Sequence, residues 1–182
     1  MIAKGDRAAF RKLQEYQRRS EAFKPGTSAT GERSQEWSGV TFRLGTSQLA
    51  CNIDRIQEIL PLPSSTPVPG AKPWILGLAN VRGSLMTVVD LWWFLSGEPA
   101  AVTSSSRLLA TGPHKSPVGL LIDEVFGQRH FLSSDAQEAE LPTDSPLQGL
   151  VHNQHQLGSE FWQELDLDEL FNTAEFLNGA AE

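Results

Sequence analysis

The sequence predicts a mainly β protein, a sandwich or barrels with short helical plugs. From Trp37 onward the apolar runs are short, and Val40, Phe42 and Leu44 alternate with Thr41 and Arg43, the period of a half-buried strand. Gly, Pro, Ser and Asn clusters punctuate these runs at close intervals. Strands do not alternate with long helical patterns, as a βαβ sheet would require.

Taken in order, residues 4–23 read as a helix with a narrow apolar stripe of Ala9, Leu13 and Tyr16 flanked by Phe10 and Phe23, marginal in isolation. The polar, turn-rich stretch 25–36 reads as a linker. Strand 40–44 turns at Gly45-Thr46-Ser47 into a hairpin partner over Gln48–Ile53. A helical turn is expected over Asn52–Gln57, with Asn52 as cap, then an extended Glu58–Leu62 and the Pro-rich loop 61–73. Trp74–Leu78 is read as one helical turn. Leu85, Met86, Val88, Val89 and Leu91 mark a strongly buried strand over 84–91, and 97–106 is a loop. A second set of strands follows over Arg107–Thr111, Val118–Asp123, Val125–Leu132 and Leu147–Leu157, with a loop at 133–146. Leu165–Phe171 looks helical, and 172–182 reads as a frayed tail.

The chain has 182 residues, 40% of them hydrophobic, and a formal charge of −7. This length buries a core without disulfides. The first 24 residues carry +4, leaving −11 on the remainder, and no Lys or Arg follows Arg129. Net acidity argues against a nucleic-acid partner. No apolar run is long enough to span a bilayer, no secretory signal is read at the N-terminus, and a cytoplasmic location is expected. The single cysteine, Cys51, allows no internal disulfide or cysteine zinc site and reads as a small buried hydrophobe.

Catalytic signatures are sparse. There is no Gly-x-Ser-x-Gly elbow, Ser-x-x-Lys or His-Glu-x-x-His motif. His152 and His155 read as exposed loop histidines. Asp123 and Glu124, adjacent on a strand, point to opposite faces and read as a strand end entering a turn. No metal, cofactor or catalytic residue is expected.

The segment from Gly77 to Leu91 stands apart. Gly77 and Gly83 bracket a tight structure needing positive φ or close approach, and Asn80 is suited to bonding nearby backbone. Arg82 places a planar cationic fork beside an apolar strand. The residues leave two roles open for it, contact with a partner's carboxylate or carbonyl and internal pairing with Glu58 or Asp90.

The stretch 37–171 resembles the CheW family, the scaffold or coupling proteins of bacterial chemotaxis arrays. The resemblance rests on Phe42-Arg-Leu-Gly45, Ile53-Asp-Arg-Ile-Gln-Glu-Ile59, Val68-Pro-Gly70, Gly77-Leu-Ala-Asn-Val-Arg-Gly83 and Val88-Val-Asp-Leu91. Val118-Gly-Leu-Leu-Ile-Asp-Glu-Val125 and Leu165-Asp-Leu-Asp-Glu-Leu170 complete the series. It implies two intertwined SH3-like β-barrels, preceded by an N-terminal helical extension and linker (1–36) and followed by a tail (172–182). It implies a non-catalytic adaptor that binds a chemoreceptor's cytoplasmic hairpin tip and the regulatory domain of a CheA-type histidine kinase, recruited to membrane-associated arrays without inserting into the membrane. By position, the implied partner-binding residues are Ile56, Glu58 and Ile59 in the first barrel, Gly77, Asn80, Val81, Arg82 and Gly83 in the turn motif, and Val118 and Gly119 in a second-barrel strand bordering the receptor groove. The N-terminal segment and Val125-Phe-Gly-Gln-Arg-His-Phe131 resemble the PilI-like branch, which acts in systems governing type IV pili and twitching motility. The chain departs from the pattern at Thr87, where the family usually has proline, and at Trp92 and Trp93, where a charged residue is common. Read as strand residues, these two Trp cannot both face one core. One is then an exposed anchor or packs under the N-terminal extension. Two rival functions stay in view, a module binding one partner and blocking assembly, and a hydrolase using the histidines.

Overall fold

The computed structural model describes residues 36–112 and 117–179. The expected helix over 4–23 and the linker up to residue 35 lie outside the described residues. The fold is mainly β, in two sheets. The described fold opens with β1 (Glu36–Leu44) and β2 (Ser47–Asn52). It then builds β3 (Ile56–Pro61), β4 (Ile75–Val81), β5 (Ser84–Asp90), β6 (Arg107–Thr111) and β7 (Val118–Ile122). These five form one sheet in the order β3-β6-β7-β5-β4. The chain returns through β8 (Glu124–Leu132), β9 (Ala136–Glu138), β10 (Val151–Leu157) and β11 (Glu160–Leu165). These join the first two strands in a six-stranded sheet ordered β8-β1-β2-β11-β10-β9. Residues 56–122 thus make one sheet, and strands before and after them make the other, which is the physical content of the expected intertwining.

Strand alternation divides the apolar residues among three cores. Ala79, Met86, Val88, Leu108, Ala110 and Leu121 fill the inner face of the five-stranded sheet. Ala50, Phe131 and Trp162, backed by Trp37 and Leu157, fill that of the six-stranded sheet. The largest core lies between the sheets and takes Val40, Phe42, Leu44, Leu49 and Cys51 from one, and Val89, Leu109, Leu120 and Ile122 from the other. Cys51 is the small buried hydrophobe expected, and burial pushes its thiol up to about 12 because the charged form loses water.

Short helices plug the ends. In α1 (Leu91–Ser96) the buried Asp90 is the cap, accepting from Trp93 N at 3.0 Å and Ala100 N at 2.9 Å. In α2 (Leu167–Asn172) the cap is Asp166, accepting from the backbone of Asp168 and Glu169. The helical turn after Asn52 is a 3-10 turn over Ile53–Arg55, with the Asn52 side chain accepting from Asp54 N.

Several expectations are corrected. Trp74–Leu78 is not a helical turn; β4 pairs with β5 from Ile75 to Val81. The pair Trp92 and Trp93 lies on α1, not on a strand, and both side chains pack partly buried against the inter-sheet core. Leu85 belongs to β5 but is 64% exposed, because it sits on the sheet's outer face near the turn. The segment 133–146 contains a 3-10 turn and β9, and β11 had no counterpart in the sequence reading. The expected frayed tail forms α3 (Ala174–Leu177), capped by Thr173. Neither His152 nor His155 is a loop residue; both lie on β10, where His152 is exposed and His155 is buried, with Nε2 3.0 Å from Glu164. Val118 and Gly119 are not in a second barrel. Their strand, β7, is the middle strand of the same sheet that holds Ile56, Glu58 and Ile59.

Candidate functional site

The register of the five-stranded sheet aligns most of the implied residues in three consecutive rows. Ile56, Thr111, Val118, Thr87 and Leu78 face one another across all five strands. The next row is Glu58, Ala110, Gly119, Val88 and Gly77, and the third is Ile59, Leu109, Leu120, Val89 and Ile75. Side chains of successive rows point to opposite faces. Ile56 and Val118 therefore lie against the inter-sheet core, while the Glu58 row faces the sheet's own interior, where Val88 and Ala110 are buried.

Small residues in that interior row let the sheet curl tightly. A Cβ on Gly119 would sit 2.3 Å from Leu108 Cδ2 and 2.8 Å from Met86 Sδ. Gly119 is thus buried packing that supports Val118. At Gly77 the φ is 137°, and a Cβ would lie 2.2 Å from the Thr66 carbonyl oxygen. The reason is an isolated bridge, in which Thr66 N donates to Leu78 O at 2.8 Å and Leu78 N to Thr66 O at 2.9 Å. The segment leaving β3 thereby returns along β4, so the two edges of the sheet are tied together.

The β4–β5 turn adds a second tie. Asn80 Oδ1 accepts from Gly83 N at 2.9 Å, and Arg82 is held in the left-handed region at φ 50°. A non-glycine residue there stores roughly 1–2 kcal/mol. The result is that Arg82 Nη2 reaches Glu58 Oε1 at 2.7 Å, with the Arg82 side chain 81% exposed and that of Glu58 mostly covered. Of the two roles left open, internal pairing is realised with Glu58; Asp90 is occupied in capping α1. The pair fixes the direction of the guanidinium, whose other N–H groups remain available to solvent. On the opposite face of β4 and β5 from the Glu58 row, Leu78 and Leu85 are exposed diagonal neighbours. Sequence reading missed both, since it read Trp74–Leu78 as a helical turn and the strand with Leu85 as strongly buried.

A second concavity of about 640 Å³ lies between this sheet and the C-terminal helices. Val118, Leu167, Phe171 and Phe176 supply its apolar lining, with Asp54, Arg55 and Asp168 among its polar residues. Arg55 pairs with Asp168 across it, and Gln57 Nε2 donates to Gly112 O. The helix residues were outside the expected set because they meet Val118 only in three dimensions.

The remaining candidates are structural. Asp123 accepts from Arg43 Nη1 at 3.0 Å and from Gly45 N at 2.8 Å, pinning the β1–β2 turn. His152 bonds Glu169 at 2.7 Å, and no cluster suited to a metal occurs among the described residues.

A family model described as the CheW-like domain matches residues 38–175. The chain belongs to the CheW-like domain family. It is 34% identical over 143 residues to Protein PilI of Pseudomonas aeruginosa, a match covering 79% of this chain and 80% of that protein. With Protein FrzA of Myxococcus xanthus the identity is 28% over 127 residues, covering 70% and 79% of the two chains. The crystal structure of the scaffolding protein TtCheW from Thermoanaerobacter tengcongensis superposes with a TM-score of 0.67 over 78% of this chain and 96% of that one. At 19% identity that likeness shows a shared fold. Two departures from the CheW pattern now have physical meaning. Thr87 N donates to Pro117 O at 3.1 Å, a bond that proline cannot make. Trp92 lies against Gly45, where a Cβ would be 2.6 Å from the indole, so it fastens α1 to the β1–β2 turn.

Proposed function

We propose that this CheW-like chain is a non-catalytic adaptor, coupling the cytoplasmic hairpin tip of a chemoreceptor to the regulatory domain of a CheA-type histidine kinase. The observation that carries the reading is the pairing of two different surfaces on one sheet. The Arg82 turn, with its braced guanidinium and the exposed Leu78 and Leu85, suits a flat protein interface of apolar centre and charged rim. The groove beside Val118 suits an inserted helix. We assign the first to the kinase and the second to the receptor. The likeness to PilI supports placement in a system controlling type IV pili and twitching motility. The adaptor is cytoplasmic and reaches the membrane only through its receptor.

Arg82→Glu tests this. The substitution places like charge against Glu58 and reverses the rim charge, so kinase regulatory-domain affinity should fall at least about tenfold, or 1.4 kcal/mol. The thermal melt should stay close to that of the parent, since exposed ion pairs contribute no more than about 1 kcal/mol. Undiminished binding would remove Arg82 from the interface. A single-partner module is separated from an adaptor by size-exclusion chromatography of a mixture with both partners, because only an adaptor yields a ternary complex.

A further inference from the structure

The C-terminal segment is held firmly for a piece of chain with only four helical residues. Phe176 stacks on Trp74 at 5.6 Å and meets Phe94 and Phe171 edge-on, each at 5.2 Å. Lys72 N donates to Gly179 O at 2.8 Å, and a Cβ on Gly179 would lie 2.7 Å from Ile75 Cδ1. Thr173 caps the turn through Phe176 N. These contacts fix α3 against the inter-sheet core and leave Leu177 72% exposed along the groove. The charges are also uneven. Arg55 is matched by Asp168, whereas Asp54 has no ion pair among the described residues. The groove thus offers an apolar wall and a carboxylate without an ion pair among the described residues, which complement an amphipathic helix carrying a basic side chain beside its apolar stripe.

Resting on the adaptor reading above, we propose that α3 is a specificity wall of the receptor groove. Leu177 touches the apolar stripe of a receptor-tip helix, Asp54 receives a basic side chain of that helix, and Phe176 positions Leu177.

The test uses the full chain with two probes in isothermal titration. One is a dimeric coiled-coil fragment carrying the cytoplasmic hairpin tip of a chemoreceptor from the same organism; the other is the kinase regulatory domain. Leu177→Glu should weaken tip binding at least tenfold and leave kinase-domain binding within twofold, while Leu177→Met retains tip binding. Asp54→Lys should weaken tip binding about fivefold and flatten its salt dependence. Both side chains are exposed, so the circular dichroism melts should match the parent. Equal tip affinity in the parent and Leu177→Glu would overturn the assignment of the wall and leave the adaptor reading standing. Equal weakening toward both probes would also overturn it, as would a concentration-dependent dimer of the parent that Leu177→Glu abolishes, because the groove would then hold a second copy. Failure of the parent to bind the tip would remove the adaptor reading itself.

Discussion

The two sheets differ in how they are assembled and in what they show to solvent. The five-stranded sheet comes from one continuous stretch, Ile56 to Ile122. Its acids Glu58, Asp90 and Glu98 are balanced by Lys72, Arg82, Arg107 and Lys115. It exposes Ile59, Leu78 and Leu85. The six-stranded sheet joins strands far apart in the chain through a parallel pairing of β2 with β11. The sequence after Arg129, which supplies its C-terminal strands and the helices that follow, carries eleven acids and no Lys or Arg. Near-neutral apolar surface is what a protein interface needs at its centre, and strong like charge resists association. The sheets are thus divided by charge, while both expose apolar side chains, the second through Phe126, Leu132 and Phe161.

That division can be broken or sharpened by experiment. The largest effect is expected at the core the sheets share. With the Cys51 thiol pushed up to about 12 from 9.0, a thiol reagent at pH 8 should react on the order of 1000-fold more slowly with native than with denatured protein. The sign for stability follows from proton binding. Between these two values the folded state keeps a proton that the unfolded state has lost, so stability falls as pH rises through that window. Rapid labelling of the native protein would show that the sheets separate readily.

Glycine substitutions compare closure in the two sheets. Gly77→Ala drives a Cβ into the Thr66 carbonyl and should cost about 3 kcal/mol in urea unfolding. Gly158→Ala, at φ 64° in the β10–β11 turn with nothing within 4 Å, should cost only about 1 kcal/mol. Equal losses would mean that the Thr66 bridge does not close the first sheet. The smallest change in stability belongs to Leu85→Asp, within about 0.5 kcal/mol of the parent because the side chain is exposed. It should nevertheless weaken kinase-domain binding several-fold in the same titration format. Unchanged affinity would move the kinase surface elsewhere.

Much of the fold was legible where local rules dominate. Alternation located β1, short apolar runs between turn residues located β2, β6, β7 and β8, Asn52 announced its cap, and Leu165–Phe171 showed its helix. The Arg82 turn was legible through Asn80 and the two glycines. What failed did so for tertiary reasons. Leu85 looked buried because its strand is apolar, but only the position of the second sheet decides which face is covered. Trp74–Leu78 is strand because the Thr66 bridge and the β5 ladder satisfy its backbone. The β10–β11 hairpin has a readable sign in Gly158-Ser159, yet its polar strands gave little alternation. The tail up to Gly179 packs because Phe176 finds Trp74 and Phe94, residues far away in sequence.

By itself the sequence determined the chemistry available: a mainly β chain of CheW-like pattern, one inert thiol, a charge imbalance and a glycine-bracketed turn carrying Arg82. Only the tertiary structure decided that Val118 shares a sheet with Glu58, that Arg82 closes on Glu58, and that the tail forms a groove wall. Local backbone preference is written residue by residue, whereas strand pairing across long loops and the burial of a particular face depend on which distant surfaces meet.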